Sequence, residues 1–374
     1  MATVAFGGRR PESLPIRLAV QPARLKHMPT LPTAVSYNEE SRLHTHPQHP
    51  EHAGRLQTIL NLLDVDGIRE LVLSVNGRPA GEPDLLRVHS PLHLERVRDT
   101  ERTEGLQWLD ADTYGNEHSW QAARRAAGTV VEVTRQVLAG KAVNGMALVR
   151  PPGHHATPDR AMGFCLINNI AVAAAWALAE TDVNRVLILD FDVHHGNGIQ
   201  DIFWRDPSVL FVSLHQSPLY PFTGDASETG GPQAEGLNCN LPLPPGVGDQ
   251  GCLRMLDEVA VPLAEAFTPD LILVSAGYDG HWLDPLAQMQ LTVAGYTAMV
   301  RRLMELAAVL CRNRLVLVLE GGYRLEVLAH AVVNSIAALA GKDGPGDPFG
   351  LPRQDERDIA QLIAGYRSQW FGGR

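Results

Sequence analysis

Asp192, His194 and Asp279 are residue types that together hold a divalent metal while leaving one coordination position free. Asp192 and His194 stand two residues apart in DFDVHHGNG (190–198). In extended chain that spacing sends both side chains to one side. A second motif, RPPGHHA (150–156), presents the adjacent imidazoles of His154 and His155 on a stiff proline-rich turn. Histidine titrates near neutral pH, so such a pair can take a proton from water and give one to a departing amine. Asp190 and Asn197 are candidate partners for the two rings, the carboxylate tuning its ring more strongly than the amide. Tyr323 follows Gly321 and Gly322. A phenol on such a turn can donate a hydrogen bond to the oxyanion formed when a carbonyl is attacked. The chemistry these residues favour together is hydrolysis of an acyl–amine bond.

Positioning them needs a rigid frame. Five runs rich in Val, Leu and Ile, at 146–150, 185–190, 209–215, 270–276 and 314–320, lack strict apolar/polar alternation. That pattern predicts strands covered on both faces. Helical patterns such as 170–179, 251–266 and 294–310 separate them. The expected fold is α/β, a single domain with a central, mostly parallel β-sheet and helices on both faces. Every motif above follows one of the five strands, at the edge of such a sheet where ligands bind.

The 374 residues are within reach of one large domain, and 45% hydrophobic with 20% charged residues is ordinary globular composition. A formal net charge of −10 argues against a nucleic-acid partner, because phosphate binding needs clustered Lys and Arg. The four cysteines are scattered without a C-x-x-C pair, which argues for a reducing compartment rather than a disulfide framework. The sequence shows no leader peptide and no apolar run long enough to span a bilayer, so a cytoplasmic location without membrane association is expected. Residues 1–30, rich in Pro and Arg, read as an N-terminal arm capable of mediating a homo-oligomer, and 31–374 as the catalytic domain. A loop from Gly341 and a final helix at 355–366 close the chain.

RPPGHHA (150–156), GFCLINN (163–169), DFDVHHGNG (190–198), SLHQSPLYP (213–221), SAGYDGHWLDP (275–285) and LEGGY (319–323) resemble the zinc-dependent histone deacetylase superfamily. HPEHAGRL (49–56) is similar to an early motif of that family. The P-P-G-H-H form and Asn197 resemble the class II branch and its bacterial histone deacetylase-like amidohydrolases more than class I. The resemblance implies an arginase/deacetylase-like fold and one Zn2+ on Asp192, His194 and Asp279. It also implies a tandem His154–His155 pair, the second as main general base, with Tyr323 polarising the scissile carbonyl. Gly163, Phe164 and Tyr220 would line a narrow channel for an alkyl-amine stem, and Asp112 would hold the substrate backbone. A structural K+ would use Asp190 and Ser213 side chains with backbone oxygens of Asp192, His194 and Leu214.

The expected substrates are an acylated lysine peptide or a small acylated amine. Polyamine-selective members of one branch carry an acid where this chain has Leu286, which favours acyl-lysine over an acetylpolyamine amidohydrolase activity. A non-catalytic acyl-lysine-binding protein is a reading of another class, opposed by retention of Tyr323 and both histidines. Arginase-like two-metal chemistry needs a further D-x-D pair, where this chain has Asp279-Gly-His.

Overall fold

The computed structural model describes residues 31–372; the expected N-terminal arm lies outside the described residues. Ten strands follow in chain order: β1 Thr33–Tyr37, β2 Val72–Ser74, β3 Gln107–Trp108, β4 Tyr114–Gly115 and β5 Asn144–Leu148. Then come β6 Val186–Asp190, β7 Val209–Gln216, β8 Asn238–Leu243, β9 Leu271–Ala276 and β10 Leu315–Leu319. Eight of them form one sheet in the order β2-β1-β5-β10-β9-β6-β7-β8, with every neighbouring pair parallel. β3 and β4 form a separate short antiparallel pair.

The continuous apolar runs have a direct cause. Alternate residues of each strand enter two different cores, one on each face of the sheet. Met146, Leu187, Leu189, Val274 and Leu317 join one, packed with helices Gly54–Val65, Val293–Leu310 and Leu325–Leu339. Ala147, Ile188, Leu273 and Val316 join the other, against helices Ser119–Leu138 and Asn169–Glu180. With both faces covered there is no polar face to alternate with. Each such fully buried Leu, Ile or Val side chain contributes about 1.5–3 kcal/mol relative to exposure.

Helix starts follow from capping. Asn168 accepts from the Ala171 amide before Asn169–Glu180, and Thr292 accepts from Gly295 before Val293–Leu310. The five strands expected from the sequence are β5, β6, β7, β9 and β10, five consecutive neighbours in the middle of the sheet. β1, β2 and β8 extend it beyond that expectation. The final helix is Ala360–Phe371, later than the expected 355–366. All four cysteines are buried and unpaired.

Candidate active site

The motifs converge because β5, β10, β9, β6 and β7 are adjacent and parallel, so their carboxyl ends share one edge. Past β6, the Asp192 carboxylate accepts from the His194 amide at 2.9 Å and lies 3.0 Å from His194 Nδ1. Past β9, Asp279 Oδ1 accepts from the Val193 amide at 3.0 Å, while its Oδ2 lies 3.3 Å from His194 Nδ1. Candidate ligand atoms of Asp192, His194 and Asp279 thus lie within 4.8 Å of one another, all buried.

Two buried carboxylates flanking one imidazole nitrogen require a balancing cation. Burial alone would lower the His194 pKa, but Asp192 and Asp279 raise it to about 10, an attraction equally available to a metal ion. Asp279 Oδ2 is buried without a hydrogen-bond partner, an acceptor left for such an ion. Gly321 makes room for the pair. A Cβ there would stand 2.0 Å from Asp279 Oδ2 and 2.6 Å from Asp192 Oδ2, while its amide donates to Asp192 Oδ2 at 2.8 Å. The donor set and its space fit a divalent metal.

Past β5, the rings of His154 and His155 lie 3.9 Å apart. His154 Nδ1 is 3.0 Å from Asp190 Oδ2, and His155 Nδ1 is 2.7 Å from Asn197 Oδ1. Their environments push the two rings apart. Burial opposes charge on His154, yet Asp192, Asp190 and Glu320 raise its pKa to about 10. Burial, then the positive fields of His154 and His194, hold His155 well below the usual histidine value. A charged ring and a neutral ring side by side suit an acid and a base.

Tyr323 is half-buried at the end of β10, edge-on to Phe164 with ring centroids 5.7 Å apart. Its amide donates to Asp284 Oδ2 at 2.7 Å. The Arg55 guanidinium lies 5.0 Å from the Tyr323 ring centroid and donates to the Glu320 and Gly322 carbonyls at 2.5 and 2.8 Å. Gly322, at φ +120°, has a backbone that side chains rarely adopt. Phe164 occupies the left-handed region at φ +68°, unusual for a bulky residue, with its amide donating to Thr113 Oγ1 at 3.0 Å. Tyr220 stands edge-on to His155 at 5.2 Å, and Gly163 packs against His155, where a Cβ would meet the ring.

Of the residues expected around K+, Asp190 and Ser213 face each other in the β6–β7 register. Asp190 Oδ1 accepts from the Asp192 amide, and Ser213 Oγ lies 2.9 Å from His215 Nδ1. Asp112 lies in the β3–β4 connection, its carbonyl 3.0 Å from His49 Nε2. Leu286 is half-buried, its amide bonded to Asp284 Oδ1.

Several supporting residues were missed by sequence reasoning. Buried Glu320 accepts from the Gly153 and His154 amides at 2.7 and 3.2 Å, tying the histidine turn to β10, and burial raises its pKa to about 7. Glu51 joins the Arg55 and Arg150 side chains, all fully buried. The available signal was a charge adjoining otherwise apolar strands: Glu320 follows LVLVL, and Arg150 follows MALV.

The edge of the α/β sheet thus carries a buried Asp–His–Asp group that could hold a metal ion. The histone deacetylase domain model matches residues 49–339. Histone deacetylase 14, chloroplastic, of Arabidopsis thaliana is 37% identical over 93% of this chain and 84% of its own length. A probable deacetylase of Archaeoglobus fulgidus is 39% identical over 88% of this chain and 91% of its own. The crystal structure of the HDA15 HD domain superposes with a TM-score of 0.83 at 36% identity, covering 92% of this chain and 95% of that one. The chain belongs to the histone deacetylase family, whose members include proteins named deacetylases and amidohydrolases. Among the described residues no helix is long and apolar enough to cross a membrane.

Proposed function

We propose that this chain is a zinc-dependent deacylase that hydrolyses N-acyl-lysine or a related acylated amine to the free amine and a carboxylate. The carrying observation is the buried Asp192–His194–Asp279 cluster set beside His154 held by Asp190, His155 held by Asn197 and the Gly-Gly-Tyr turn. Asp192, His194 and Asp279 would hold the metal, which when bound lowers the pKa of water and polarises the acyl oxygen.

The chain's own residues supply the remaining steps. With His155 Nδ1 committed to Asn197 Oδ1, its Nε2 is left to take the proton of the attacking water. His154, charged against Asp190, stabilises negative charge as it develops and keeps a proton near the leaving amine. A metal charge on Asp192 would weaken part of the pull on His154, leaving Asp190 as its main partner. The Tyr323 hydroxyl donates to the oxyanion, held in place by Arg55 and Asp284. Phe164 and Tyr220 would form the walls of the channel for the alkyl stem, with Gly163 lining its floor. Asp190, Ser213 and the backbone oxygens of Asp192, His194 and Leu214 would hold K+.

Acetate release from an acetyl-lysine peptide tests the activity, with acetylspermidine as comparison. Leu286→Glu is expected to shift the kcat/KM ratio toward acetylspermidine by about 3- to 10-fold through one added partly screened charge contact. An unchanged ratio would show that position 286 does not set this choice.

A further inference from the structure

A row of aromatic rings runs outward from the catalytic phenol. Tyr323 meets Phe164 at 5.7 Å, Phe164 meets His49 at 4.6 Å, and His49 lies 6.3 Å from Trp108. Trp108 also lies 6.2 Å from His46 and remains 56% exposed, whereas His49 is buried. The open indole at the outer end of that row leaves a ring face accessible to a ligand.

The loop carrying Trp108 is fastened to the channel rather than free. Trp108 pairs with Tyr114 across β3–β4, the Asp112 carbonyl is bonded to His49 Nε2, and Thr113 Oγ1 accepts from the Phe164 amide. Asp110 and Asp112 sit on the same connection. Arg160 partly answers Asp110 at 4.0 Å, while the Asp112 carboxylate is bonded to the Thr113 hydroxyl. After burial, the charges of Asp112 and Asp110 are among the influences raising the Tyr220 phenol pKa, so their field reaches that channel wall. An exposed indole on the same short hairpin as two carboxylates can recognise a cation, the ring face and the negative field attracting the same ligand.

We infer that Trp108, with Asp112, forms a recognition site at the channel mouth for a second, positively charged group on the substrate. This rests on the deacylase reading and narrows its substrate class to acylated amines bearing a further cation outside the channel. Trp108 acts in binding, not in bond cleavage, so its loss should appear in KM. The cation has two possible chemical sources, a basic side chain flanking an acyl-lysine or the distal amine of an acylated polyamine. The Leu286 side chain itself contributes no charge to either.

The test compares matched pairs on the metal-loaded full chain. One pair is an acetyl-lysine peptide flanked by Arg or by Gln; the other is N8-acetylspermidine against uncharged N-butylacetamide. Wild type should prefer the cationic member of at least one pair, and the preferred pair identifies the source. Trp108→Ala should raise KM for that member by about 3- to 30-fold, with kcat and the neutral member within twofold. Trp108→Phe, which keeps a ring, should recover part of the preference. Equal losses on charged and neutral members would assign Trp108 a structural role, and absence of preference in wild type would remove the site; either result overturns the inference. Turnover of neutral substrates would persist in both cases, whereas no acetate from any substrate would instead defeat the deacylase reading.

Discussion

Tyr323→Phe is expected to lower kcat by about 100- to 1000-fold, the usual cost of one oxyanion donor. The phenyl ring should keep its contacts with Phe164 and Arg55, and the hydrogen bond that the backbone amide donates to Asp284 does not involve the lost hydroxyl. Metal content and melting temperature should therefore stay near those of the parent. That combination separates loss of chemistry from loss of structure. A variant turning over at the parental rate would remove Tyr323 from the mechanism, while one that also loses metal would assign it a structural part.

Glu51→Gln is expected to destabilise the protein by about 3–5 kcal/mol, because it leaves Arg55 and Arg150 buried with uncompensated charge. At roughly 1.4 °C per kcal/mol for a domain of about 340 residues, the melting point should fall by about 4–7 °C. A change under about 2 °C would show that the triad is not a stability element. The effect depends on pH. Burial would raise the Glu51 pKa, but Arg150 and Arg55 hold it down to about 2. A carboxyl depressed on folding contributes stability that is fully present above its unfolded value, about 4.3, and lost as pH falls through the folded one. Burial also lowers His44 to about 3, so keeping it neutral costs stability as pH falls below its unfolded value, about 6.5. Both groups weaken the fold in acid. In Glu51→Gln the part of that loss between about pH 4.5 and 2 should shrink.

The central sheet was legible because its middle strands are buried on both faces and bounded by turn motifs. β1, TAVSY, mixes Thr, Ser and Tyr with its apolar residues, the three-residue β2 was too short to stand out, and β8 contains Pro242 with two asparagines. Helix Ser119–Leu138 mixes alanines with arginines and includes Gly128, while Leu325–Leu339 is apolar almost all round and lacks a polar face to mark its period. The sequence pointed to Asp192, His194, Asp279, the histidine pair and Tyr323 because unusual residue types recur at strand ends. Glu320, Arg55 and Asp284 act on backbone groups brought from distant segments, and Glu51 on the Arg55 and Arg150 side chains. Their partners are set by tertiary packing, so residue type alone carried little of their role. The geometry joins the two groups: Glu320 fixes the histidine turn, and Arg55 links the Glu51–Arg150 pair to the Tyr323 turn.

The most direct test of the central claim is metal content measured together with turnover of an acetyl-lysine peptide before chelation, after chelation and after zinc is returned. The active protein should carry about one zinc per chain, lose turnover as the metal is removed, and regain it as zinc is restored. Asp279→Asn should bind less metal and turn over correspondingly less. Undiminished turnover by metal-free protein would contradict the assignment of Asp192, His194 and Asp279 as the ligands of a catalytic zinc.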